Sequence, residues 1–253
     1  MKNLWIISSA IGTKTAEDKT LSRWMETILT IESINSRDPH AEIHILDTGS
    51  VRLPEWHTNL WSDNVTFHDW CAEEGPKVIL KNSIKVTDTL SPRLIELNDK
   101  ITPQAVRDFL QFGYLKSVTE SWAILNFLEG RDLSSYDRVY KLSGRYFLTP
   151  KFDANQFDNN ITMKKQGVSE NLGVDNISSV MWCFKGKHYE EFTYKFKEVR
   201  QHLCDTWHKT RTVTDLESSL AFRFDNEETT FIPWLGLAGV VNTTNSKQTL
   251  ISQ

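Results

Sequence analysis

The sequence predicts an α/β fold, a mostly parallel central sheet flanked by helices, in a single domain (1–253) whose second half is irregular. Three stretches lead to that reading. "LWIISSA" (4–10) is a short, nearly continuous apolar run ending in small polar residues, as suits a strand buried on both faces. "SRWMETILTIESINSRDP" follows, with Trp24, Ile28, Ile31 and Ile34 at helical spacing and Pro39 just past the end. "AEIHILDTGS" then alternates Ile43 and Ile45 with His44 and Leu46 and closes on Asp47 and a glycine turn. Strand, helix and strand in that order make a βαβ unit, which carries a parallel strand pair and binds ligands at the carboxyl ends of its strands. Ser8, Ser9 and Asp47 fall there.

The remaining elements are read in chain order. Residues 51–101 show no clear period and read as a loop-rich insertion with short strands. "TPQAVRDFLQFG" has a capping Thr102, Pro103 at the first helical position and Gly113 at the stop. "KSVTESWAILNFLEGRD" predicts a helix opened by a Ser117–Glu120 capping box and closed by Gly130. "YDRVYKLSGRYFLTP" (136–150) alternates as one strand, with Val139, Lys141, Ser143 and Arg145 on one face and Tyr140, Leu142, Gly144 and Tyr146 on the other. Beyond 150, "ISSVMWCFKG" reads as a strand, "HYEEFTYKFKEVRQHL" and "DLESSLAFRF" as amphipathic helices, and "TTFIPWLGLAGVV" as a late strand or hairpin. The chain is thus regular over 1–150 and more irregular over 151–253.

Composition excludes several classes. The 253 residues are 39% hydrophobic and 25% charged, which is globular rather than disordered. A net charge of −4 and the lack of a dense Lys/Arg run argue against nucleic acid as a partner. No run approaches the roughly 20 apolar residues of a membrane span, and "MKNLWIISSAIG" lacks the pattern of a signal peptide, so the reading is cytoplasmic. Cys71, Cys183 and Cys204 are odd in number and lack C-x-x-C spacing, which argues against a disulfide framework or a zinc site.

In this order, "KSVTE", "VYKLSGRY" and the Asp-ended second strand resemble the GT-A-type glycosyltransferases. More narrowly, the strand resembles a set of bacterial and large-phage glycosyltransferases with K-[IL]-x-G-R-Y. The resemblance covers residues 4–149 in element order and reappears at "LESSLAF" and "GLAGVV". It implies transfer of a sugar from a nucleotide-diphosphate donor to a glycan or other acceptor, with 1–150 as the nucleotide-sugar-binding half and 151–253 as the acceptor-side half. Ser8, Ser9, Asp47, Lys116, Ser117, Glu120, Lys141, Ser143 and Gly144 would lie around the donor, with Glu217 as acceptor base and Arg145 beside the leaving diphosphate. The wider family holds a divalent cation with D-x-D, which this chain lacks; Ser143, Gly144 and Arg145 stand in its place. An Arg fork supplies positive charge bidentately, so a divalent metal is possible but not expected.

Structural roles remain open for the same residues. Lys141 and Arg145 either meet an anionic donor or pair with carboxylates such as Asp47 or Asp137. Asp47 is equally a turn former. Lys116 either approaches a phosphate at a helix end or is solvated. Gly144 either admits a ligand or marks a bulge. Glu217 is either a base or part of a Thr214–Glu217 capping box. "DTWHKTRT", with Trp207, His208 and Arg211, reads as a lid or an exposed loop. A non-catalytic carbohydrate- or nucleotide-binding module is the alternative function. A nucleotidyltransferase would want a more basic, Gly-rich version of "SSAIGTKTAEDK". Donor, acceptor and oligomeric state are not legible in the sequence.

Overall fold

A computed structural model gives the structure of residues 1–11, 17–49, 53, 61–70, 115–168, 175–210, 214–242 and 248–252. At its centre β1 (Asn3–Ser9) pairs in parallel with β2 (Glu42–Asp47) and with β4 (Arg138–Ser143). Helix α1 (Glu17–Arg37) connects β1 to β2, completing the βαβ unit. β3 (Val65–Asp69), within the expected insertion, extends the sheet in parallel beyond β2. The helix expected at 102–113 and Cys71 lie outside the described residues.

The chain returns through α2 (Leu115–Glu129) to β4, and three strands beyond residue 150 complete the same sheet. These are β6 (Ile161–Met163), β9 (Met181–Phe184) and β10 (Thr229–Phe231), giving the seven-stranded order β10-β6-β9-β4-β1-β2-β3. β9 is antiparallel to both β4 and β6, and β10 is parallel to β6. β6 and β10 therefore run with β4, and six carboxyl ends share one edge. This is the α/β, mostly parallel sheet that the sequence predicts.

Both faces of the sheet are covered, as continuous apolar strands require. Leu4 and Ile6 join Val139, Trp182 and Phe184 under α2, α3 (Tyr189–Thr210) and α4 (Leu216–Phe224). Trp5 and Ile7 point the other way, joining Ile43, Ile45, Tyr140 and Leu142 under Ile31 and Ile34 of α1. The period of two along β1 assigns alternate residues to two cores. Among the described residues, no helix is long and apolar enough to cross a membrane.

Residues 136–150 do not form one strand. β4 ends at Ser143, and after a turn at Gly144–Arg145, β5 (Tyr146–Leu148) joins β11 (Leu237–Asn242) and β12 (Gln248–Ser252) in a separate antiparallel sheet. The turn follows the contacts of α1: Thr27 Oγ1 lies 3.4 Å from Gly144 O, and Thr30 Oγ1 donates to Tyr146 O at 2.8 Å. "ISSVMWCFKG" is likewise divided, between β9 and a hairpin of β7 (Lys165–Val168) with β8 (Asp175–Ile177). "TTFIPWLGLAGVV" contributes β10 to one sheet and β11 to the other.

Candidate active site

The strand order reverses between β1 and β4: the chain runs outward through β2 and β3, then returns to the other side of β1. In open α/β sheets that reversal opens a crevice at the carboxyl ends of the strands. Ser8 stands in register with Leu46 and Ser143, and Ser9 with Asp47, so these strand ends share one level at the carboxyl edge of the sheet.

Asp47 is 1% exposed and its Oδ1 accepts from Ile11 N at 2.7 Å, while Oδ2 has no hydrogen-bond partner among the described residues. Burial pushes its carboxyl up, against the pull of the Ile11 and Gly49 amides and of Arg23, to about 6. Its folded-state pKa is thus raised above the ordinary 3.8, so the stability it allows is fully present below about pH 4 and is lost as pH rises through about 6. The predicted loss is about 3 kcal/mol. Urea midpoints of Asp47→Asn and wild type, compared between pH 4 and 7, should show that slope only in wild type.

One face of α1 lies along the β4–β5 turn. Thr27 approaches Ser9 Oγ at 3.3 Å and, one turn earlier, Arg23 donates to Ala10 O at 2.7 Å at the exit of β1. Arg23 therefore sits beside Arg145. Burial lowers the pKa of Arg23, and the neighbouring Arg145 lowers it further. Arg145 itself, half-buried, makes no side-chain hydrogen bond or ion pair among the described residues. Glu26, on the same helix, is 8% exposed with Oε2 unpartnered among the described residues, and burial raises its pKa despite Arg145 and Arg23. Arg23 is thus within electrostatic reach of Arg145, Glu26 and Asp47, near the carboxyl ends of β1 and β2.

Lys141 has a different place. It is fully buried under α2, its ammonium 2.6 Å from Glu120 Oε1 and donating also to Ser179 O. The expected direct approach of Lys141 to a donor is corrected by this burial, and its partner is Glu120 rather than Asp47 or Asp137. Asp137 instead accepts from the Lys2 amide at 2.6 Å. Burial pulls Glu120 up, but Lys141, Lys116 and the hydroxyl of Ser8 outweigh it and hold its carboxyl down to about 2. Ser8 Oγ donates to the same Glu120 oxygen at 2.7 Å. On the other side of Lys141, Ser179 Oγ donates to Glu217 Oε1. The end of β1, α2, β4, the segment before β9 and the start of α4 are thereby tied into one polar chain, Ser8–Glu120–Lys141–Ser179–Glu217.

This chain replaces both predicted capping boxes. Ser117 and Glu120 lie inside α2 facing inward, Ser117 Oγ accepting from Leu216 N at 3.3 Å. At α4 the cap is Asp215, whose Oδ1 accepts from Ser218 N at 2.8 Å, not Thr214. Glu217 is released from capping, and its Oε2 has no hydrogen-bond partner among the described residues. The Tyr146 phenol, raised by burial, senses both Arg145 and Glu217, which places the two around one side chain.

Other expectations resolve as follows. Lys116 is exposed near the start of α2, within electrostatic reach of Glu120. Gly144 is buried against β1 rather than open to a ligand: a Cβ would lie 3.2 Å from both Ile7 Cγ2 and Ser9 Oγ. Trp207 and His208 belong to α3, which continues to Thr210, so this part is helix rather than loop; Arg211 lies outside the described residues. Cys183 is a buried free thiol and Cys204 a half-buried one. Arg23, Glu26 and Ser179 carry no sequence motif. Arg23 is placed by the face of α1 that meets the β4–β5 turn, and Ser179 by the β4–β9 pairing.

Among the described residues no group of three or more His, Cys, Asp or Glu side chains is gathered as for a metal ion.

The sequence matches no protein-family model, and no curated protein is matched. Solved structures of glycosyltransferases align with the fold. An active-site mutant of LgtC aligns at 14% identity and a TM-score of 0.47, over 91% of this chain and 72% of that one. The apo form of GlyE from Streptococcus pneumoniae TIGR4 aligns at 14% identity and 0.45, over 91% of this chain but 45% of GlyE, so this chain spans less than half of that protein. Mouse xyloside xylosyltransferase 1, also in apo form, aligns at 11% identity and 0.46, over 92% of this chain and 85% of that one.

Proposed function

We propose that this chain is a glycosyltransferase that moves a sugar from a nucleotide-diphosphate donor onto a glycan or other acceptor. The observation that carries the reading is the convergence at the β1/β4 reversal: Arg145, without a hydrogen bond or ion pair among the described residues, beside Arg23 on one side, and Glu217 held by Ser179 on the other. Ser9 and Ser143 offer polar groups to the nucleoside end of the donor, and buried Asp47 holds the adjoining Ile11 amide at the exit of β1. Arg145 and Arg23 face the diphosphate. The acceptor hydroxyl approaches Glu217 Oε2 and loses its proton there as its oxygen attacks the anomeric carbon. The bond from that carbon to the diphosphate breaks, and the electron pair leaves with the nucleoside diphosphate, where the guanidinium groups meet the developing charge. Lys141 and Glu120 touch neither substrate and act as positioning residues for Ser179.

Calorimetric titration with nucleoside diphosphates in excess chelator tests the donor half. Wild type is expected to bind one of them without added metal. Arg145→Lys keeps the charge but loses the fork, and a charge-assisted hydrogen bond of about 1.5–3 kcal/mol corresponds to a loss of about ten- to a hundredfold in affinity. The free nucleoside should be affected less. Equal diphosphate affinity in the variant, or binding only when manganese or magnesium is added, would sink the metal-free model. Release of free sugar from the matching nucleotide sugar separates an enzyme from a binding module.

A further inference from the structure

Trp234 stands on the flank of the same sheet, in the loop that follows β10. The loop is anchored at both ends. Ile232 N donates to Met163 O at 2.9 Å, next to Lys164, and the amide and hydroxyl of Thr149 donate to Gly236 O at 2.9 and 2.8 Å. Gly236 has φ +69°, and a Cβ there would lie 2.5 Å from Phe152 Cα and 2.7 Å from Lys151 O, so only glycine lets the loop seat so closely on residues 151 and 152. The indole is thereby held close to two lysines, with Lys164 Nζ 5.7 Å and Lys151 Nζ 5.9 Å over its ring.

These cations lack what surface lysines usually have. Among the described residues neither ammonium makes a hydrogen bond or ion pair with a carboxylate, whereas adjacent Lys165 pairs with Asp225 at 2.8 Å. Burial lowers the pKa of Lys164. The Trp234 Nε1 hydrogen is also buried and has no acceptor among the described residues. A partly exposed indole with two ammonium groups over its ring, neither of them paired with a carboxylate among the described residues, suits a ligand that is flat and apolar on one face and anionic at its edge. Lys164 follows the carboxyl end of β6, two strands from β4 in the sheet order and so roughly 10 Å from the Ser143–Arg145 turn at ordinary strand spacing. A short oligosaccharide spans that gap.

We propose that Trp234, Lys151 and Lys164 form a subsite for an acidic sugar of the acceptor, the indole offering apolar surface to the sugar ring and the two ammonium groups meeting the carboxylate or phosphate. Calling it an acceptor subsite rests on the glycosyltransferase reading; the binding itself does not.

The full chain, labelled at its indole nitrogens, is titrated at low salt with glucuronic acid, glucose 6-phosphate, glucose and inorganic phosphate, the Trp234 signal being assigned by Trp234→Phe. At least one acidic sugar should bind about five- to tenfold more tightly than glucose and than inorganic phosphate, the modest factor reflecting partly solvated lysines. A response to glucuronic acid identifies a carboxylate ligand and one to glucose 6-phosphate a phosphate ligand. Lys151→Gln/Lys164→Gln should abolish the preference without lowering the melting temperature. Absence of binding, affinity equal to glucose or to inorganic phosphate, or a preference that survives in the double variant overturns the proposal. Nucleoside diphosphates titrated into the same samples keep the two readings apart: the double variant should bind them as wild type does, and failure of wild type to bind any would remove the donor reading while leaving the acidic-sugar result standing.

Discussion

Lys141→Met should lower stability by about 3–5 kcal/mol, because it leaves the Glu120 carboxylate buried without its counter-charge. For a chain of 253 residues that is a fall in melting temperature of roughly 10 °C. Adding Glu120→Met should recover most of it, since a buried ion pair replaced on both sides by apolar groups is often neutral. The pH dependence should also change sign. In wild type the folded Glu120 pKa, about 2, is depressed below the ordinary 4.5, so its stabilisation is present above 4.5 and lost as pH falls towards 2. Without Lys141, burial dominates, the folded pKa rises, and the variant should gain stability as pH falls. Thermal melts of wild type, single and double variants from pH 3 to 7 decide the point. A donor-facing lysine would behave oppositely, with Lys141→Met sparing stability and weakening nucleoside diphosphate binding directly.

Glu217→Gln should reduce turnover by about 10²- to 10⁴-fold, the usual contribution of a general base, with donor affinity unchanged. The amide keeps the shape and can still accept the Ser179 hydrogen bond but takes no proton. Stability should change little, because Asp215 and not Glu217 caps α4. Turnover and melting temperature measured on the same preparation distinguish the roles: full turnover with a lowered melting point would make Glu217 structural. Asp215→Ala is the reciprocal control, expected to cost about 1 kcal/mol of stability through the lost cap.

Much of this architecture was legible residue by residue. The two faces of β1, the Trp24–Ile34 stripe of α1 and the Ile43/Ile45 alternation are periodic, and periodicity along one segment reports which sides of it are buried. The βαβ order then implied the parallel pairing and placed Ser8, Ser9 and Asp47 at the carboxyl edge. Capping was misread for a definite reason. Ser-x-x-Glu at 117–120 and Thr-x-x-Glu at 214–217 satisfy a local motif, but a hydroxyl and a carboxylate three residues apart also share a helix face, and here that face meets another part of the chain.

Partners distant in sequence were invisible for the same physical reason. Lys141 shows its charge in the sequence but not the Glu120 that neutralises it, because an ion pair between β4 and α2 exists only once the sheet is covered. The break between β4 and β5 is set by the contacts of Thr27 and Thr30 from α1, more than a hundred residues away. Arg23, Ser179 and Trp234 carry no local pattern at all. Their placement follows from which strand ends share an edge, and hydrogen bonds and charges act across space rather than along the chain. Local alternation of apolar and polar residues thus specified the layers, while the assembled sheet settled which polar residues would be spent on the interior and which would face the crevice.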